Sequence, residues 1–183
     1  MKLFYPLIFT AILSISLNAQ KFAGKVGNVA DNATTIFDLD IVNLNNQKQD
    51  FGLESVQIDI EHSWASDLNL TLITPSGERI KLATALGGSS QDYKNTIFDM
   101  KANVSINDAD APFTGSFKPQ GNIGTANRIH NYSGKWQLEI VDTYTGNVGL
   151  LKKWSLVFGR NAARALPIEP IPNCLTSTPA GDT

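Results

Sequence analysis

The sequence predicts an all-β domain, an antiparallel sandwich or barrel. Apolar residues recur at every second position in several short runs, which sets one row of side chains on one face of a pleated strand. Turn chemistry separates these runs: the amide-rich stretch from Asn43 to Asp50, then Pro75-Ser76-Gly77, then Gly87-Gly88-Ser89-Ser90. No stretch keeps a 3.6-residue period over three turns, so no long helix is expected.

The elements follow in order. Residues 1–19 read as a signal peptide: Lys2 is the charged lead, Leu3 to Leu17 an apolar run, and Ala19 a small residue suited to cleavage before Gln20. The run is short for a bilayer span, so the mature chain is expected outside the inner membrane (secreted, periplasmic or at the cell surface) with no membrane span. The competing reading is an uncleaved anchor. Residues 20–49 form an N-terminal lead, without a clear period over 20–34. Phe37, Leu39 and Ile41 then alternate with Asp38 and Asp40 as a first strand.

Val56, Ile58 and Ile60 mark a second strand, and Leu68, Leu70 and Leu72 a third. Ile80 and Leu82 open a short return strand. Ala83 to Asn95 reads as an exposed loop, and Ile97 to Ile106 as a weak pattern with one or two short strands. Asn107 to Asn131 is expected to be long and irregular, tied to the core by Phe113 and Phe117; loops of such length are often functional. Trp136, Leu138 and Ile140 form one alternating row, and Trp154, Leu156 and Phe158 another. With the polar link from Asp142 to Gly149 they read as a β-hairpin whose tryptophans point inward. Residues 160–183 form a proline-rich linker.

Composition narrows the function. The chain has 183 residues, 42% hydrophobic and 17% charged, with a net charge of −2. That supports one packed domain and argues against disorder. No lysine–arginine cluster suits nucleic acid, which is excluded as a partner. The lone cysteine, Cys174, cannot form an internal disulfide.

Two histidines, His62 and His130, are the candidates for base chemistry. A Ser-His-Asp triad needs a carboxylate and an accessible serine on one imidazole. Asp67 follows His62 closely, but no Gly-x-Ser-x-Gly elbow occurs. His62 therefore reads as a hydrogen-bonded residue orienting a loop, and His130 as a solvated one. No catalytic residue is assigned. Zinc lacks a ligand pattern. Calcium takes loop oxygens, and Asp67, Asp92, Asp99, Asp108, Asp110 and Asp142 are the acidic candidates. Asp67 and Asp142 lead, because each is read as sitting at a hairpin end; Asp92 and Asp99 follow. The competing reading is that each aspartate caps its own loop.

Gly134 to Phe158 carries the pattern G-x-W-x-L-x-I-x-D-x6-G-x4-W-x-L-x-F. Upstream stand His62, then Asp67-Leu68, Leu70, Leu72 and Pro75-Ser76-Gly77, and between them Pro112-Phe113-Thr114-Gly115 with Phe117 and Pro119. Together these resemble the P domain (P/Homo B domain) of proprotein convertases and their secreted bacterial relatives, over residues 50–159. The resemblance implies a jelly-roll β-sandwich of the galactose-binding-like type. It implies a non-catalytic domain that accompanies subtilisin-like serine endopeptidases and supports their folding, stability or specificity. Asp67 and Asp142 match the family's Asp-Leu and strand-end Asp. The departure is that this chain holds no protease domain.

That departure keeps a different class open: a stand-alone ligand-binding or adhesion module, lectin-like, recognising glycan or a surface protein. Trp64, Tyr93, Tyr132 and Tyr144, in predicted loops, would serve it. A small hydrolase using His62 is a third reading. The segment from Asn173 to Thr183 resembles the start of fibronectin type III-like repeats, so a further module is expected beyond the linker.

Overall fold

The computed structural model describes residues 19–44, 50–128 and 130–165. The segments expected to be a signal peptide, up to residue 18, and a linker, from residue 166 with Cys174, lie outside the described residues. Among the described residues ten strands follow in order. They are β1 (Gln20–Ala23), β2 (Gly27–Val29), β3 (Thr34–Ile41), β4 (Gly52–Glu61), β5 (Leu68–Ile73), β6 (Arg79–Thr84), β7 (Tyr93–Asp99), β8 (Phe113–Phe117), β9 (Gly134–Asp142) and β10 (Gly149–Gly159). The helical pieces described are 3-10 turns, at Ala65–Asp67, Ile106–Asp108 and Ile123–Asn127.

Two sheets face each other. One runs β1-β10-β4-β7-β8, with β2 also paired to β10; the other runs β3-β9-β5-β6. Every pairing is antiparallel except β7 with β8, which is parallel. The result is the expected all-β sandwich, of a mixed rather than purely antiparallel kind. The rows picked out by alternation pack the interior. Phe37, Leu39 and Ile41, Val56, Ile58 and Ile60, Leu68, Leu70 and Leu72, and Trp136, Leu138 and Ile140 are all buried in one core cluster.

The terminal pair departs from the sequence expectation. β9 and β10 do not form a hairpin: β9 lies in the four-stranded sheet and β10 in the larger one. Alternation reports which face is buried, and a link of six residues, 143–148, is long enough to cross between sheets instead of turning within one. Both tryptophans still point inward. Trp136 is fully buried, packs edge-on against Phe158 with centroids 5.6 Å apart, and donates its indole N–H to the Tyr132 carbonyl at 2.9 Å. Trp154 is buried and donates its N–H to the Lys25 carbonyl at 2.8 Å.

Other expectations are corrected as well. The lead at 20–34 contains β1 and β2, edge strands on β10 too short to show a period. The region expected to be irregular holds β8, whose Phe113 is fully buried. Tyr93 and Tyr132, expected in exposed loops, are fully buried. Tyr93 opens β7 and stacks on Phe113 at 4.8 Å, and burial pushes its phenol well above the usual range. Tyr132 donates to the Phe51 carbonyl at 2.9 Å, and burial pushes it up to about 12.

Replacing Trp136 with alanine removes a buried indole and its hydrogen bond. The variant is expected to lose about 3–5 kcal/mol from a total of about 5–15 kcal/mol. Urea unfolding reads this directly, and an unmoved midpoint would show that the indole is not part of the core.

Candidate functional site

Four connections meet at one end of the sandwich: residues 30–33, 62–67, 85–92 and 143–148. They are laced together by backbone bonds. Ala65 N–H donates to the Ser90 carbonyl at 2.8 Å, Asp92 N–H to the His62 carbonyl at 3.1 Å, Asp142 N–H to the Ala33 carbonyl at 2.9 Å, and Thr143 N–H to the Asp67 carbonyl at 2.9 Å. Side chains add to this. Both carboxylate oxygens of Asp31 accept from Gly146 N–H, at 2.9 and 3.1 Å. Asp92, held in the left-handed region at φ 65° that aspartate tolerates better than most residues, accepts from His62 N–H at 2.9 Å.

His62 and Asp142 lie at the centre. Their side chains are 0% exposed, with His62 Nε2 at 3.2 Å from Asp142 Oδ2. The second oxygen of Asp142 accepts from Tyr144 N–H at 3.0 Å. The second ring nitrogen, Nδ1, lies 2.8 Å from the Trp64 carbonyl and 3.2 Å from the Trp64 N–H nitrogen. It donates to the first when protonated and accepts from the second when not. Gly149 gives the ring its room, since a Cβ there would stand 2.9 Å from His62 Cδ2.

This arrangement limits the chemistry. A triad histidine places one nitrogen on a carboxylate and the other on a serine hydroxyl. Here the other nitrogen faces the Trp64 backbone, and the ring is out of contact with solvent. The groove beside it holds about 580 Å3 and is bordered by Glu61, Ser63, Gln91, Asp92, Val148 and Leu150. Two aromatic side chains stand outward at this end, Trp64 at 46% and Tyr144 at 69% exposure. The backbone of each is hydrogen-bonded to the buried pair.

The calcium candidates can be placed one by one. Asp67 and Asp142 do come to the same end, since Leu68 pairs with Asp142 across β5 and β9. One oxygen of Asp142 accepts from the Tyr144 N–H and the other lies against His62 Nε2, so both are engaged inside the protein, and no step is assigned to a calcium ion. Asp92 serves His62 N–H, and Asp99 accepts from Lys101 N–H at 2.8 Å at the opposite end. Asp108 and Asp110 are exposed. Among the described residues no group of three or more His, Cys, Asp or Glu side chains could hold a metal ion. His130 is half-buried, 3.4 Å from the Tyr132 hydroxyl. The role of Asp31 was not visible from sequence, because it depends on a loop distant along the chain, 115 positions away. The Trp64 contact is local, but no sequence pattern marks a backbone partner for a ring nitrogen.

The family profile described as "Proprotein convertase P-domain" matches residues 54–158. The chain belongs to this P-domain family. The match begins within β4 and ends within β10, and so includes both His62 and Asp142 of the P domain. No curated protein matches the chain. Among solved structures, the serine protease of Aeromonas sobria in complex with the chaperone ORF2 is similar over 78% of this chain and 26% of its own, at 20% identity and a TM-score of 0.41. The same protease alone gives 0.40, with the same identity and coverage. A structure of PfGH50B is similar over 77% of this chain and 22% of its own, at 11% identity and a TM-score of 0.38. This chain thus spans about a quarter of the length of the solved chains it matches.

Removing one member of a buried pair strands the other. His62→Ala and Asp142→Ala are each expected to cost about 3–5 kcal/mol. The double variant should cost less than their sum, with a coupling of about 1–3 kcal/mol. Asp142→Asn should be milder, because an amide can donate to Nε2 while Nδ1 donates to the Trp64 carbonyl. Denaturant unfolding of the full cycle measures this, and strict additivity would show that the two side chains do not act as a pair.

Proposed function

We propose that the chain is a secreted, non-catalytic P domain that supports a subtilisin-like serine endopeptidase in folding, stability or specificity. The observation that carries the non-catalytic reading is His62: both its ring nitrogens are committed inside the protein. Membership of the proprotein convertase P-domain family supports the link to proteolysis. Export is supported by Lys2 and the apolar run after it. A cut after Ala19 would also leave β1 whole, since that strand begins at Gln20.

A second reading, glycan-binding adhesion, is favoured by one observation. Trp64 and Tyr144 offer exposed rings beside a groove with amide and carboxylate groups, and sugars are held by stacking on such rings and by hydrogen bonds to such groups.

The test uses protein recovered outside the cell, whose N terminus should lie near Gln20. Mixed with the catalytic domain of a subtilisin-like protease secreted by the same organism, it should slow autolysis and raise the protease's melting temperature. A ligand at a hundredfold excess over its Kd stabilises its partner by about 2.7 kcal/mol. Alone, it should cleave no general protein substrate, and its melting should be the same in millimolar Ca2+ and in chelator. Peptidase activity that disappears in a folded His62→Ala variant would overturn the reading. An unaffected protease, with glycan binding that is lost in Trp64→Ala/Tyr144→Ala, would replace it with adhesion.

A further inference from the structure

The opposite end of the sandwich carries a second, differently built feature. β4 and β10 pair from Glu61 with Leu150 at the His62 end to Gly52 with Gly159 at the other. Ten residues at about 3.3 Å each separate the ends by roughly 30 Å. Just past β10, residues 160–165 fold back along a groove of about 940 Å3.

That segment is held firmly. Ala163 N–H donates to the Leu53 carbonyl at 2.9 Å. Asn127, itself buried, donates to the carbonyls of Ala163 and Leu53 at 2.8 and 3.0 Å and accepts from Leu53 N–H at 2.6 Å. Asn122 donates to the Arg164 carbonyl at 3.1 Å, and Lys101 Nζ to the Asn161 carbonyl at 2.8 Å. Asn161 N–H donates to Glu54 at 2.7 Å. Gly124 lets the chain pass, since a Cβ there would stand 2.3 Å from the Arg164 carbonyl.

A fixed backbone presents exposed side chains. Lys101, Arg160 and Arg164 border the groove against one carboxylate, Asp50, on a chain whose net charge is −2. Among the described residues neither Arg160 nor Arg164 is in an ion pair. Met100, Ala162 and Ala163 add an apolar wall. A guanidinium is a planar fork that matches a carboxylate with two parallel hydrogen bonds. Cations beside an apolar wall suit a chain that carries both carboxylates and apolar side chains, which a peptide does and a sulfated sugar does not.

We propose that this groove binds an acidic peptide segment of a partner protein, with Arg160 and Arg164 holding its carboxylates. The site is separate from the His62 end and does not depend on the partner being a protease.

The probe is a fluorescein-labelled peptide of alternating glutamate and leucine, with a lysine–leucine peptide as control, followed by anisotropy. The full chain should bind the first and not the second, and more weakly at about 0.5 M salt, where the screening length is only a few ångströms. Arg160→Gln/Arg164→Gln should weaken binding at least about tenfold, the loss of two charge-assisted contacts. Lys118→Gln/Lys153→Gln, which removes the same charge elsewhere, should bind as the parent does. Circular-dichroism melts should show all proteins folded. Equal binding by the two double variants overturns the proposal, as does no binding by the parent. Binding of heparin that the acidic peptide cannot displace also overturns it and assigns the groove to a sulfated polysaccharide.

Discussion

A buried imidazole–carboxylate contact holds one end of this sandwich. Charged or strongly polar groups taken out of water are costly unless each is fully partnered. The end loops meet that demand: Asp142 receives His62 and the Tyr144 N–H, and His62 reaches both backbone groups of Trp64. The need for partners on each side therefore fixes the path of the chain on each side. Residues 62–67 and 143–148 cannot move apart without stranding a buried polar atom. Asp31 and Asp92 extend the same logic to the two neighbouring loops. Two strands in different sheets, β4 and β9, are joined at their ends by side chains rather than by a hairpin.

Much of this was legible in the sequence, and the limits are physical. Alternation in 56–60, 68–72 and 136–140 identified strands and buried faces, because the period of two is imposed by the pleat. It could not assign partners, so Trp136 and Trp154 were placed inward correctly while their strands were wrongly joined. β1, β2 and β8 run to five residues or fewer, too few to establish a period. His62 as an orienting residue was anticipated from the missing nucleophile. Its partner was not: Asp67 is near in sequence, but Asp142, eighty positions away, is the carboxylate that reaches it. Contacts of that separation exist only once the sheets are assembled.

The two ends differ in chemistry as well as in construction. The His62 end carries the exposed rings of Trp64 and Tyr144 and a rim of Glu61 and Asp92. The other carries Lys101, Arg160 and Arg164 on a backbone anchored by Asn122 and Asn127. Asparagine suits that task because its amide can donate and accept at once, and so tie two neighbouring segments without a charge. A rigid sandwich with unlike ends can hold two different surfaces at a fixed spacing.

The central claim is that the His62–Asp142 contact holds the loop end in place. Amide hydrogen exchange on the folded protein tests it residue by residue, because exchange reports local opening separately from global unfolding. In the parent the Tyr144 amide should exchange slowly despite its exposed side chain. In Asp142→Ala it should exchange rapidly, while core amides such as those of Leu70 and Leu138 stay protected. A Tyr144 amide equally protected in both proteins would contradict the account.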